Sequence, residues 1–221
     1  MIYLKLFQNS TEYNVYTADT ANFILPNVSL TVDNDTVHYN PYVDPYAGHE
    51  YVDLGLPSGT KWATMNVGAS SETDYGNYYQ YGKGAAQYAA TSGDSNYSGT
   101  EDPLDSSVDT AAQVWGGSWH MPTKTQFEEL TANTTYEVVT NYKGSGKNGC
   151  TLTATNGAVL FFPATGIWSD GSQDLLGMIG VYWSSTPYDS DYAYFFLFGG
   201  SDKSVDKYIR KDGFSVRGVV G

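Results

Sequence analysis

The chain has 221 residues and a formal net charge of −13, from 11 Lys and Arg against 24 Asp and Glu. This charge repels phosphate backbones and argues against nucleic acid as a partner. Hydrophobic residues make up 41% of the sequence and aromatic residues 15%, which is enough apolar surface for a folded core. No apolar run approaches the roughly 20 residues that span a bilayer, so no membrane insertion is predicted.

Cys150 is the single cysteine, so the chain offers neither an internal disulfide nor a set of thiolate ligands. A buried, unreactive thiol is expected. The first ten residues, MIYLKLFQNS, place Lys5 and Gln8 among apolar residues. They show neither the continuous apolar core of a signal peptide nor a lipid-attachment cysteine, although a chain whose leader had been removed would look the same.

Residues 1–48 are predicted to form a small β-rich module that serves attachment or oligomerisation. Residues 2–7 alternate apolar and polar side chains, as a strand does. Residues 28–32, VSLTV, predict a second strand, and the turn residues 33–35 lead to Val37 and Tyr39, so this pair is predicted to form a hairpin. The Pro- and Gly-containing residues 40–50 contain the predicted domain boundary.

Residues 49–221 are predicted to form a second domain of mixed α+β class with strands in excess. Its start, YVDLGLPSGTKWATMNVGA, suggests two strands around a Pro-Ser-Gly turn, with Trp62 and Met65 as core anchors. Residues 75–103 are rich in Tyr, Gly, Ser and Asn, which predicts a long surface loop. Residues 150–221 alternate aromatic and small residues between Gly, Asp and Ser turns, which is typical of a strand meander.

Two short helices are predicted in this domain. In PTKTQFEEL, Thr123 is suited to cap the helix start, and Gln126, three residues later, can return a hydrogen bond to the cap amide. Residues 109–115, DTAAQVW, predict the other helix, which Gly116 and Gly117 would end.

Six sequence blocks occur in a fixed order: YVDLGLPSGTKWATMNVGA, DYGNYYQYG, WGGSWHMPTKTQFEEL, FFPATG, YWSS and FSVRGV. Together they resemble the FISUMP-type paralogous domain of anaerobic gut bacteria and their phages. The resemblance covers residues 50–221 and implies a C-type-lectin-like fold with two short helices and mostly antiparallel strands, related to the formylglycine-generating enzymes. Those enzymes use paired cysteines, so a chain with Cys150 alone is not expected to share their activity.

Several proteins of this fold are variable proteins of diversity-generating retroelements, in which a reverse transcriptase rewrites adenines in the carboxy-terminal coding segment. Asparagine codons are the main target. The last asparagine here is Asn156, so residues 157–221 contain none, whereas the first 156 residues contain 13. This distribution agrees with a diversified segment at about residues 181–217, and the alternative is that strands avoid Asn because of its low β propensity.

Binding surfaces favour Tyr for its large rigid face, and Ser, Gly and Asp for adaptable polar contacts. The predicted ligand-binding residues, called the recognition residues below, are Tyr188, Asp189, Asp191, Tyr192, Tyr194, Asp202, Asp206, Tyr208 and Asp212. The resemblance assigns the positions between them to the fold, and these framework residues are Tyr182, Trp183, Ser184, Ser185, Ala193, Phe214, Val216 and Arg217. The alternative is that many of the tyrosines line the core beside the neighbouring phenylalanines.

No catalytic residue, metal ligand or cofactor is predicted. His120 adjoins Trp119 and Pro122, which favours a structural hydrogen bond over a catalytic triad. Glu128 and Glu129 are adjacent on a helix, so we expect them to point apart and face solvent. The EPN and QPD tripeptides of sugar-coordinating calcium sites are absent, and EDPLD at residues 101–105 is a loose acidic cluster to which a hard cation could bind.

The expected function is therefore ligand or receptor binding by a display protein, either a phage tail-fibre adhesin or a retroelement-diversified variable protein. Its carboxy-terminal face would recognise a host-surface protein or a glycan. The expected location is a virion or the outside of a cell, and a tail fibre would imply a homotrimer. The alternatives are a bacterial cell-surface lipoprotein or structural protein of the same fold and, from a different class, an enzyme.

Overall fold

The computed structural model describes residues 46–85 and 97–221 throughout, together with the backbone of five strands before them. Two compact units divide the chain, Met1–Pro45 and Tyr46–Gly221. In the first unit β1 (Ile2–Gln8) pairs antiparallel with β2 (Thr11–Thr17). A second antiparallel sheet contains β3 (Ala21–Leu25), β4 (Val28–Asp33) and β5 (Thr36–Pro41).

The predictions of a strand at residues 2–7 and of a hairpin from residues 28–32 to Tyr39 are confirmed. The predicted turn residues Asn34 and Asp35 lie outside the described residues. The division between Pro45 and Tyr46 falls within residues 40–50, which contain the predicted domain boundary, and residues 40–41 still belong to β5.

Two helices and a series of short strands make up the second unit. In chain order they are β6 (Tyr51–Asp53), β7 (Lys61–Asn66), β8 (Tyr79–Gln80), α1 (Thr110–Trp115), α2 (Lys124–Ala132), β9 (Thr134–Val139), a 3₁₀ turn (Tyr142–Gly144), β10 (Gly149–Ala154), β11 (Val159–Pro163), β12 (Ile167–Ser169), β13 (Ser172–Asp174), β14 (Ile179–Pro187), β15 (Tyr192–Gly199), β16 (Asp202–Ile209), β17 (Gly213–Phe214) and β18 (Arg217–Val220).

These strands form small open sheets whose named strands pair antiparallel. The strand orders are β11-β10-β9, β13-β12-β17-β8, β14-β15-β16 and β18-β7-β6. The end of the chain returns to the first strands of the second unit, because β17 pairs with β8 and β18 pairs with β7. The predicted α+β class, with mostly antiparallel strands and two helices, is confirmed.

Both predicted helices are confirmed, and local hydrogen bonds define their ends. The Thr123 side chain accepts from the Gln126 amide while the Gln126 side chain accepts from the Thr123 amide, which completes the capping box of α2. The Asp109 side chain accepts from the Ala112 amide at the start of α1, and Gly116 ends that helix with a φ of 69°. Among the described residues, no helix combines the length and apolar character needed to cross a membrane.

The sheet β14-β15-β16 lies between the two core clusters of this unit. Alternate residues of β15 point to opposite sides, so Phe195 packs in one cluster with Trp183 while Phe196 packs in the other with Phe127. Each of the eight framework residues has an exposure of 0%. Strands β14 and β15 are thus buried on both faces over much of their length.

Two predictions about the first half of this unit are wrong in detail. Trp62 is fully buried as predicted, but Met65 is only half-buried and is not a core anchor. Residues 75–103 are not one surface loop, because Tyr79 and Tyr81 are 1% exposed. The Tyr79 carbonyl accepts a hydrogen bond from the indole of the buried Trp183, so this part of the segment belongs to the core. Residues 86–96 lie outside the described residues.

Candidate recognition surface

Four of the recognition residues lie at the surface between the end of β14 and the start of β15. We call residues 188–192, which include the first residue of β15, the β14–β15 turn. Tyr188 is 47% exposed and Tyr192 is 41% exposed, and Asp189 and Asp191 are exposed beside them. The amides of Tyr188 and Asp189 donate to the Tyr192 carbonyl at 3.0 and 3.2 Å, which closes a tight turn. Two aromatic rings and two carboxylates are therefore presented on one short segment.

Asp189 has a structural role within this turn. Its Oδ1 accepts from the amides of Asp191 and Tyr192, each at 2.8 Å. These hydrogen bonds, first that from Asp191, hold the pKa of the Asp189 carboxyl below its usual value, because they favour the charged form. An aspartate in this position stabilises the turn as well as contributing charge to the surface.

Arg210 anchors the same turn from the inside and is only 1% exposed. Its guanidinium donates to the backbone carbonyls of Asp189, Tyr192, Tyr97 and Gly99, the last three at 3.0, 2.8 and 2.8 Å. A planar group with five fixed N–H donors can serve several carbonyls at once. The contacts go to backbone atoms, so they do not depend on which side chains the turn carries.

Sequence reasoning did not identify Arg210. Its own amide donates to the Asp191 carbonyl at 2.9 Å, and its guanidinium lies 4.7 Å from the ring centroid of Tyr81. Burial lowers its pKa. In the sequence it stands beside Lys211 at the end of a strand, and no motif marks it as buried.

A cluster of two tyrosines and two lysines adjoins the turn on the side of α2. The rings of Tyr188 and Tyr194 meet edge to face, with centroids 5.6 Å apart. Lys207 Nζ lies 3.6 Å from the Tyr188 centroid, and Lys124 Nζ lies 4.9 Å from the Tyr194 centroid. Tyr194 and Lys207 pair across β15 and β16, so they share a face of the sheet.

Asp202, Asp206 and Tyr208 lie on the opposite face of β16. Tyr208 pairs with Ala193, and strand alternation places it and Asp206 away from Lys207. Asp202 and Asp206 are exposed. Tyr208 is half-buried, with its ring centroid 5.3 Å from that of Phe214 and 5.9 Å from that of Phe195. The recognition residues therefore do not form one continuous face.

Asp212 does not lie on the surface, since its exposure is 2%. Strand β17 begins at the next residue and pairs with β8 and β12, which carries the chain into the interior at this point. Burial raises the pKa of its carboxyl, and Oδ1 has no hydrogen-bond partner within the part of the chain that the structure describes. Asp212 is in no position to contact a partner protein or glycan.

The remaining candidates have structural partners. His120 Nδ1 lies 3.0 Å from the Met121 carbonyl oxygen, in agreement with the predicted structural hydrogen bond. Glu128 pairs with Lys124 at 3.1 Å, but Glu129 accepts from the amide and hydroxyl of Ser58, so the prediction that both glutamates face solvent is wrong for Glu129.

Cys150 is fully buried and free, as predicted, and burial raises the pKa of its thiol. In the acidic segment 101–105, Glu101 accepts from the Tyr97 hydroxyl and Asp105 accepts from the Ser107 amide. Over the described residues, no group of three or more His, Cys, Asp and Glu side chains is arranged to hold a metal ion.

Residues 150–219 match the model of DUF8237, a domain of unknown function. No curated protein and no solved structure matches the chain. The DUF8237 segment begins in β10 and ends in β18, so it contains the sheet β14-β15-β16 with all recognition and framework residues. Both helices and the Tyr97–Gly99 carbonyls that Arg210 contacts lie outside DUF8237.

Proposed function

We propose that this protein is a binding protein that presents an exchangeable surface on a C-type-lectin-like fold and recognises a host-surface protein or a glycan. The observation that supports this most directly is the anchoring of the β14–β15 turn. Arg210 contacts the turn through backbone carbonyls alone, while the side chains of Tyr188, Asp191 and Tyr192 are exposed.

Backbone anchoring permits side-chain exchange because the fixed hydrogen bonds use atoms that every residue has. Beneath the turn, framework residues such as Trp183 and Ser184 are fully buried and hold β14 and β15 in place. A rigid support with replaceable outer side chains is what a tolerant binding site requires.

The exposed tyrosines also favour binding to a partner. Tyr and Trp give a large contact area at a small cost in side-chain entropy, and such residues dominate the energetics of many interfaces. Tyr188 and Tyr192 are exposed, and the half-buried Tyr194 packs against Tyr188, over whose ring Lys207 lies. We take this turn together with the Tyr188–Tyr194–Lys207 cluster as the centre of the recognition surface.

The resemblance to FISUMP-type domains and the absence of Asn after residue 156 support a retroelement-diversified variable protein or a phage tail-fibre adhesin. A location on a virion or at a cell surface is part of the same proposal. Several copies in a trimeric fibre would add avidity to weak individual sites.

Sequencing the coding segment for residues 157–221 from many sibling isolates tests the proposal. We expect substitutions at Tyr188, Asp191 and Tyr192 and none at Trp183. Two natural variants would then be purified and compared on a glycan array and on intact gut-bacterial cells. Their thermal midpoints should agree within about 2 °C while their binding profiles differ, because surface exchanges rarely affect stability.

An even spread of substitutions over framework and recognition residues would contradict the proposal. So would a tail that is identical in all isolates. The control within the same isolates is the segment that encodes α2, which should not vary.

A further inference from the structure

A cleft of about 370 Å³ opens on the second unit, and its lining includes none of the recognition residues. It lies where α2 meets the turn at Ser58 and the segment at Pro103 and Leu104. The apolar part of its wall comes from Pro103, Leu104 and Met121, and the polar part includes His120 and Glu129. Clefts with apolar walls and a few converging polar groups are the usual form of small-molecule sites.

The charges around this cleft favour a cation. Its lining residues include the acids Asp109 and Glu129 and contain neither Lys nor Arg. The net charge of −13 adds a negative field over the whole chain. Lys124 lies between two lining residues but pairs with Glu128 at 3.1 Å, so the acids of the wall disfavour an anionic ligand.

The Glu129 carboxylate is held in place by a hydrogen-bond network. Oε1 accepts from the Ser58 amide at 2.8 Å, and Oε2 accepts from the Ser58 hydroxyl at 2.5 Å. The Ser58 hydroxyl lies 2.7 Å from the Thr60 hydroxyl, which accepts from Gln126 Nε2 at 3.1 Å. Each carboxylate oxygen can accept a further hydrogen bond, so Glu129 is a fixed acceptor with spare capacity.

His120 supplies a second acceptor. Its Nδ1 faces the Met121 carbonyl at 3.0 Å, and a carbonyl can only accept, so Nδ1 carries the proton. With Nδ1 as the donor, Nε2 is the ring nitrogen left to accept a hydrogen bond. Within the described residues, Nε2 has no hydrogen-bond partner, and His120 and Glu129 both line the cleft.

We propose that this cleft binds a primary alkylammonium group. The ammonium donates to the Glu129 carboxylate and to His120 Nε2, and the alkyl stem packs against Leu104 and Met121. A lysine side chain and a free aliphatic amine share this chemistry. The lining residues of the cleft include none of the recognition residues, so the proposed amine site uses a different set of side chains.

Isothermal titration and NMR shift mapping on the full chain test this proposal, with 1-aminopentane as the probe and 1-pentanol as the uncharged probe of equal length. The amine should bind at least about tenfold more tightly than the alcohol, because its hydrogen bonds to the carboxylate are charge-assisted. Equal binding of the two, or no binding of the amine by NMR at about a 50-fold excess over the protein, would overturn the proposal. N-acetyl-lysine methylamide separates the two sources: binding equal to the amine indicates a lysine side chain, and weaker binding indicates a free amine.

Glu129→Gln and Glu128→Gln form a matched pair with the same loss of charge on adjacent helix positions. Glu129→Gln should weaken amine binding at least about tenfold, while Glu128→Gln should change it less than about twofold. Thr125→Lys, at an exposed position in the cleft lining, tests amine binding a second time without changing Ser58 or Glu129. It should abolish amine binding by placing a cation in the cleft. Equal affinities in all variants would refute the assignment.

Discussion

Arg210 connects the β14–β15 turn to the segment at Tyr97 and Gly99. Replacing it with Lys keeps the charge but removes the planar fork, so the side chain could reach at most one or two of the four carbonyls. The Tyr192 carbonyl would keep the Tyr188 and Asp189 amides as donors, whereas the carbonyls of Tyr97 and Gly99 would compete for one ammonium. We expect Arg210→Lys to lower the free energy of unfolding by on the order of 3 kcal/mol, since buried carbonyls without partners are costly. Urea unfolding measures this loss.

Lys211→Arg is the control, because Lys211 is the exposed neighbour of Arg210 and its nearest acid, Asp170, is itself exposed. It should change stability by less than about 0.5 kcal/mol. Hydrogen exchange of the Asp191 and Tyr192 amides should accelerate in Arg210→Lys alone. Unchanged exchange would show that the turn does not depend on the guanidinium.

At the scale of single residues, the sequence predicted the buried positions better than the exposed ones. Trp183 and Phe214 are in the core as the resemblance implied, whereas Tyr208 and Asp212 were assigned to the surface and are half-buried and buried. Alternation along a strand predicts faces only when one face meets solvent. Because the core continues on both sides of β14 and β15, residue type alone could not separate inward from outward tyrosines.

Helix α2 shows how local hydrogen bonds define an element. Thr123 accepts from the Gln126 amide, and the Gln126 side chain both accepts from the Thr123 amide and reaches Thr60. Thr123→Ala removes the cap, which typically costs about 1 kcal/mol. Thermal and urea unfolding measure the change, and the exposed Thr125→Ala is the control, which should be neutral or slightly stabilising.

The pairing of Thr123→Ala with Gln126→Ala tests whether the two side chains act together. Their combined loss should differ from the sum of the single losses by at least about 0.5 kcal/mol, because they are in direct contact. If the two losses of unfolding free energy simply add, the two hydrogen bonds of the capping box form independently of each other.

Helices were predictable at the scale of elements because their signals are local, whereas several strand partners were not. Thr123 and Gln126 are three residues apart, but β8 pairs with β17 across more than half of the chain. Nothing in the Tyr- and Gly-rich sequence around Tyr79 identifies Phe214 as its partner. The pairing within the meander β14-β15-β16 was easier to predict, because successive strands joined by short turns usually pair.

At the scale of the whole domain, Arg217 joins three parts of the fold. Its guanidinium donates to the carbonyls of Ala63 on β7 and Phe161 on β11, and it lies 4.6 Å from the Phe162 ring centroid. Complete burial lowers its pKa to about 10, which still leaves it charged at neutral pH. The last strand, β18, is thereby connected to β7 and to β11, which belongs to another sheet.

The charge of the whole chain leads to a prediction about salt. With a net charge of −13, the excess acidic side chains repel one another in the folded state, and added salt screens this repulsion. Salt also weakens the ion pairs of the described residues, Lys124–Glu128, Lys143–Glu72 and Lys211–Asp170, but these are exposed, and each such pair contributes only about 0.2–1 kcal/mol.

Repulsion among the excess acids should therefore outweigh the loss of these pairs. We expect the thermal midpoint of the full chain to rise by about 2–4 °C between 10 and 300 mM NaCl, which corresponds to roughly 1 kcal/mol for a chain of this size. Scanning calorimetry measures the shift, and potassium chloride at equal ionic strength is the control for ion identity. A falling midpoint would mean that local ion pairs, rather than net charge, dominate the electrostatics of this fold.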